Sequence, residues 1–351
     1  MWFSLPILAI TTFGLTEIGA RNSGFVEKVY SQSIYPFLAY IISNLSNPFP
    51  FSLDDIFYLL LIITAIILIV LLILKRISWK FSAKVVLNVM AAIYILFYFL
   101  WGFNYYREDL NTRLQLKEQQ PDTNDFVKQL QILIEDTNKS YCSFEIMEKE
   151  IVDSLVEDSY KKLADVLALK YPAGNRRDKS VTWSSFFAKA GISGYYGPFF
   201  NEVHVNKKVL PIEYPFVLAH EKAHQFGVTS EAEANFYAWL ICTQSRSKQL
   251  QYSANLHILR FFFHQAYQLE EYPEIISKLD DRVKNDFLRI REHWMKLRNE
   301  KVDRVASHVN DAYLKSNKVE KGIKDYTGVV KHVMNFSLDS DFRNRHNLPA
   351  R

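Results

Sequence analysis

Two histidines four residues apart, with a glutamate beside the first, stand in this 351-residue chain as His220-Glu221-Lys222-Ala223-His224. On a helix, positions i and i+4 share a face, so both imidazoles project from one side about a turn apart. Nitrogens so placed can hold one zinc ion at about 2.0–2.1 Å each. Glu221 leans toward the open position on the metal, where it would take a proton from water rather than ligate. The flanks Phe216, Val217, Leu218, Ala219, Ala223 and Phe226 predict a buried helix, and buried imidazoles need partners that a metal supplies. A solvated face carrying the pair by accident is the plain alternative, and those flanks oppose it.

A third ligand should follow. Pro215 suits the first turn of the motif helix, Gly227 its left-handed end, and Ser230 the cap of a new helix. That helix offers Glu231 and Glu233, about 200° apart and so on different faces. Glu231 shares a face with Asn235, which makes Glu231 the favoured ligand and Asn235 its supporting partner behind a ligand histidine. Glu233 is the alternative ligand, and either acid also suits a first helical turn for electrostatic reasons alone. An oxyanion formed at the metal needs a donor. Tyr195, Tyr196, His204 and Tyr313 are candidates for that role or for substrate contact, as are Tyr326, His257 and His264. In a chain with 20 tyrosines, most of them serve packing.

Helices must carry these groups, and the spacing predicts them over 125–138, within 144–169, and from 211 to the end. Only 181–206 argues for strands. Residues 199–206 alternate Val203 and Val205 with Glu202, His204 and Asn206, the pattern of a half-exposed strand. Lys222 and Gln225 should face away from the metal. Cys142 and Cys242 form no metal or redox spacing, and Cys242 reads as a small buried hydrophobe.

The first hundred residues are of another kind. Residues 56–74 contain no charge, and 85–103 form a second apolar run that ends in Trp101, Tyr105 and Tyr106. With a weaker run at 2–20, three spans are expected, with 25–52 as an interfacial segment on the bilayer. Residues 1–106 are thus a membrane region, 107–123 a charged stalk, and 124–351 a water-soluble domain. Lys75, Arg76, Lys80 and Lys84 between the last two spans place that connection in the cytoplasm and the large domain outside it. A net charge of +4 with no basic, aromatic-interleaved cluster argues against nucleic acid as a partner. The partners expected are a lipid bilayer and a peptide or protein substrate; oligomeric state is left open.

The HExxH pair followed by Glu231-x-x-Ala234-Asn235 resembles the gluzincin metallopeptidases. Their third ligand is a glutamate usually followed four residues later by aspartate, where this chain has Asn235. More of the chain resembles a family of three-span bacterial membrane proteins called domain of unknown function 3810. Tyr30-Ser31, Ile34-Tyr35-Pro36, Pro50-Phe51-Ser52, Gly191-Ile192-Ser193-Gly194-Tyr195, the two site segments and residues 310–317 carry that likeness. Together the resemblances imply a mostly α-helical α+β zincin-like domain with a small sheet, behind a three-helix transmembrane region in the bacterial inner membrane. They imply a zinc peptidase in which residues 199–206 are the edge strand that pairs with substrate. The alternative is a zinc-binding sensory or scaffold protein of the cell envelope without catalysis.

Overall fold

Apolar composition decides the first part of the architecture. In the computed structural model, which describes residues 4–144, 148–172, 174, 176–320 and 322–349, Leu53–Ile73 and Trp79–Leu100 are helices of 21 and 22 residues. At 1.5 Å per residue each spans about 30 Å, the thickness of a hydrocarbon core. Both are long and apolar enough to cross a membrane, and the most apolar window of the first buries nothing inside the protein. The runs read at 56–74 and 85–103 fall on them. Each helix starts earlier than its run because a serine caps it: Ser52 accepts from the Asp55 N–H at 2.8 Å and Ser78 from the Phe81 N–H at 3.2 Å. The run at 2–20, whose residues 2 and 3 lie outside the described residues, is a shorter apolar helix, Ser4–Ala20, packed along the 79–100 helix.

The 25–52 segment is helical through most of its length. A π-helical stretch, Val26–Ile34, runs directly into Tyr35–Ser46. One side buries Tyr30, Tyr35 and Ala39 against Tyr98, Trp101, Phe103 and Tyr106. The other exposes Phe37, Tyr40, Ile41 and Leu45.

Residues 107–123, read from their charge as a stalk, fold back instead. Leu110, Leu114 and Leu116 enter the main core, and the buried Arg113 pairs with Glu233. That core centres on two helices, Tyr214–Gln225 and Glu231–Thr243, with Phe236, Trp239 and Leu240 fully enclosed. Around them lie Thr123–Ser140, opened by a capping box between Asp122 and Asp125, then Lys149–Leu163, Lys248–Ala266 and Val329–Leu338. Mostly helical with one small sheet, the chain has the expected balance of elements.

The sheet has three strands: β1 (Lys179–Ser180), β2 (Gly194–Gly197) and β3 (Glu202–Val205), in the order β1-β3-β2. β1 runs parallel to β3, and β2 antiparallel with Tyr195 opposite His204. Thus 199–206 does not hold a half-exposed edge strand. All four residues of β3 are buried at the sheet centre. Val203 and Val205 join the main core. The polar face is covered as well, by the start of the 53–73 helix. Glu202 Oε2 accepts from the backbone N–H groups of Leu53 and Asp54 at 2.9 and 3.2 Å. Ser52 Oγ lies 2.8 Å from His204 Nε2, and Lys179 pairs with the other Glu202 oxygen. Asp55 accepts from the Thr182 N–H at 3.0 Å and from the Tyr195 hydroxyl. Helix N-termini leave N–H groups unbonded and favour negative charge, so a carboxylate there meets both needs.

Removing one member of a buried ion pair strands the other charge, at about 3–5 kcal/mol. Glu202→Ala should therefore destabilise the full-length protein by about that amount in denaturant unfolding in micelles, and Glu202→Ala combined with Lys179→Met by less.

Candidate metal centre

The motif helix begins with Pro215 in its first turn and ends at Gly227, whose φ of +83° is left-handed. The chain turns, and Ser230 Oγ caps the next helix by accepting from the Glu233 N–H at 3.3 Å. This short link folds Glu231 back over the histidine pair. His220 Nε2 and His224 Nε2 lie 3.2 Å apart, and Glu231 Oε2 lies 3.1 Å from the first and 3.5 Å from the second. Ligand atoms set tetrahedrally at about 2.0–2.1 Å from an ion are about 3.3–3.4 Å from one another. The triangle fits that spacing, and these three residues can hold a metal ion.

Each ring is constrained differently. His224 donates through Nδ1–H to the Val228 carbonyl at 2.7 Å, while the buried Nδ1 of His220 has no partner among the described residues. Burial alone would raise Glu231 and lower His224. Their mutual attraction prevails and drives the carboxyl well below its usual range and the imidazole up to about 9. Glu221 is buried beside them. Burial pushes its carboxyl up to about 7, against the pull of His220 and His224 and with help from Glu231. A Cβ on Gly194 of β2 would meet Glu221 Oε1 at 2.8 Å, so the strand passes as close to this acid as glycine allows.

A cavity of about 1140 Å³ opens over the triangle, between the motif helix, β2 and the Glu300–Ser316 helix. Its walls are mostly apolar and aromatic. Glu231, not Glu233, faces the histidines; Glu233 points to Arg113. Asn235 lines the cavity but makes no hydrogen bond to either ring among the described residues, and its Nδ2 is buried without a partner. Tyr195 and Tyr196 also line it, with their hydroxyls held by Asp55 and Tyr35. His204 is not brought to the site: it is fully buried and turned to Ser52, with the Tyr195 ring stacked on it at 4.3 Å. Tyr313 does line the cavity, its hydroxyl 3.2 Å from that of Tyr105. Tyr326 lies against both Glu231 and Asn310. Nothing local in the sequence singles it out among the tyrosines, because only the fold brings residue 326 to residue 231. Trp101 and Tyr105, read as a membrane-boundary belt, are also cavity walls.

The sequence model of DUF3810, a family described as proteins of unknown function, matches residues 30–334. The chain belongs to this family. No curated protein and no solved structure matches it. The DUF3810 match covers the two long apolar helices, the sheet and every residue of the triangle.

Behind the site, Lys222 faces away as expected. It is fully buried, 2.8 Å from Asp153, 2.7 Å from Glu157 and 2.9 Å from the Arg176 carbonyl. Gln225 donates to the Asn201 carbonyl at 2.7 Å. Burial alone would raise Glu157, but Lys222 and Arg176 prevail and hold its carboxyl at about 2. A depressed acid contributes stability that is complete above its ordinary value of 4.5 and is lost as pH falls toward 2. The unfolding midpoint of the full-length protein should therefore drop across that window. In Glu157→Gln the drop should be smaller, from a lower starting stability at neutral pH.

Proposed function

We propose that this chain is a membrane-anchored, zinc-dependent peptidase acting at the membrane surface. The observation that carries the reading is the triangle of His220, His224 and Glu231 with Glu221 beside it, on the floor of a cavity large enough for a peptide. The donor set of two imidazoles and one carboxylate suits zinc and leaves a coordination position open. Bound there, zinc supplies Lewis-acid chemistry, polarising a carbonyl and making water a better nucleophile. Glu221 takes the proton of the attacking water and passes it to the leaving amine nitrogen. Since β3 is enclosed, an extended substrate would pair with β2, the outer strand on the cavity side, whose Gly194, Tyr195 and Tyr196 line the cavity. Tyr313 and Tyr326 are the hydroxyls best placed to face an oxyanion.

In this reading Ser4–Ala20 is a third span alongside the two longer helices, and the exposed face of Tyr35–Ser46 rests on the bilayer. Lys75, Arg76, Lys80 and Lys84 set the connection between the longer spans in the cytoplasm, so the cavity works on the opposite side, the periplasmic one in a bacterial inner membrane. A second reading keeps the zinc without hydrolysis and makes the chain a sensor or scaffold of the cell envelope. It is favoured by the polar joint between the 53–73 helix and the sheet, which ties a span to the site. Glu221 counts against it, since a purely structural zinc needs no base.

Metal analysis of the full-length protein in detergent should find about one zinc per chain, absent in His220→Ala and Glu231→Ala. Glu221→Gln should keep the metal and lower cleavage of a mixed peptide library by about a hundred- to ten-thousand-fold. Zinc retained with no cleavage by the parent protein would favour the second reading. A reporter fused after Arg351 that works only outside the cytoplasm should be active; activity of a cytoplasm-only reporter would reverse the orientation.

A further inference from the structure

One wall of the cavity carries a cation, Arg260, that forms no ion pair among the described residues. On the Lys248–Ala266 helix, His257 and Arg260 are a turn apart and both line the cavity. Arg260 Nη2 lies 2.9 Å from His257 Nε2, and its Cζ is 5.5 Å from the centre of the Phe261 ring. The His257 ring lies flat on Phe216 at 3.8 Å, and Phe216 precedes His220 by one turn of the motif helix. A continuous wall of side chains therefore runs from the first ligand of the triangle to the guanidinium.

Three arginines with enclosed side chains, and one exposed arginine on the cavity wall, have carboxylates. Arg107 has Glu27, Arg113 has Glu233, Arg176 has Glu157, and Arg298 has Asp303. Among the described residues no carboxylate lies within ion-pair distance of Arg260. Glu213 acts on it through space, but both Glu213 oxygens accept from Trp294 Nε1 at 3.0 Å. Lys301 lines the same cavity and adds positive charge, while Arg298 there is offset by Asp303, which lines it too. A planar guanidinium that is exposed to solvent on the cavity wall, beside aromatic rings, pairs well with a carboxylate.

We propose that Arg260 is the receptor for a substrate carboxylate, so that the cavity selects peptides presenting either an acidic side chain or a free C-terminus at that distance from the metal triangle. This rests on the peptidase reading for its substrate, and it adds a recognition residue outside the metal centre. His257 is the positioning residue: stacked on Phe216 and bonded to Nη2, it fixes where the guanidinium stands.

The test uses full-length protein in detergent with Glu221→Gln, so that binding is read without cleavage. The probes are fluorescent peptides identical except for one residue walked along the chain, Glu, Gln or Lys, all with amidated C-termini. A further Gln peptide has a free carboxylate. At one position the Glu peptide, or else the free-carboxylate peptide, should bind about tenfold or more tighter than its neutral counterpart, and which of the two does so names the source of the carboxylate. Adding Arg260→Glu should reverse the order in favour of Lys, and Arg260→Gln, the milder variant, should erase it. Equal affinities across the set, a preference that survives Arg260→Glu or Arg260→Gln, or no binding by any peptide would each overturn the proposal. Cleavage by the parent protein is scored separately, so a protein that binds acidic peptides but hydrolyses none would contradict the peptidase reading and leave Arg260 in its role.

Discussion

The last turn of a helix leaves carbonyls with capacity that the helix itself does not use, and here the segments around the apolar helices donate to those at the end of the motif helix. Trp101 Nε1 donates to the His224 carbonyl at 2.9 Å, the Tyr35 hydroxyl to that of Gln225 at 2.7 Å, and Arg107 Nη1 to that of Gly227 at 2.9 Å. Trp101 follows the 79–100 helix directly, Tyr35 opens the helix between the first two apolar segments, and Arg107 is itself held by Glu27. His224 thus faces the triangle through its ring and the apolar helices through its backbone. Gly227 makes the contact possible. A Cβ there would meet the Tyr35 ring at 3.0 Å and Asn104 at 3.1 Å, at a φ that L-residues rarely adopt. The apolar helices are therefore part of the frame of the site and not a detachable tether.

A second line of support enters from the other side. The start of the 53–73 helix holds Glu202, Glu202 lies in β3, β3 pairs with β2, and β2 passes over Glu221 at Gly194. Strand register is all or nothing: a slip of one residue turns every side chain to the opposite face. Such a slip would bring Tyr195 to the place where only glycine clears Glu221. The joint between helix and sheet thereby fixes the spacing between β2 and the acid, and with it the width of the cavity at its polar end.

What could be read from sequence was what is local. The pairing of His220 with His224, the roles of Pro215, Gly227 and Ser230, and the choice of Glu231 over Glu233 all follow from helical geometry within about twenty residues. Reading failed where a residue's environment is set by a distant segment. Alternation in 199–206 correctly separated two faces, but nothing local says that the polar face is covered by residues 52–55. Charge in 107–123 suggested water, because the partners of Arg113 and Lys117 lie at Glu233 and Asp341, more than a hundred residues on. Trp101 and Tyr105 suited a lipid boundary by type, and the same amphipathic character suits a cavity wall. The single-sequence pattern cannot separate those two uses of an aromatic ring.

Polar and apolar contacts at the helix–sheet joint perform different tasks. Phe57 packs on Phe199 with ring centres 4.7 Å apart, and Tyr58 on the same ring at 6.1 Å. Such contacts are non-directional and would hold nearly as well after a small rotation or slide. Buried ion pairs add little net stability, since desolvation offsets most of their attraction. The joint buries Asp54 and Glu202 close together against the cation of Lys179, an arrangement poorly suited to maximising stability. Its bonds are directional, however: two backbone N–H groups, one serine hydroxyl and one ammonium must all meet Glu202 at once. Adhesion comes from the rings and orientation from the carboxylate, and a strand that must pass within van der Waals contact of a buried acid needs the second as much as the first.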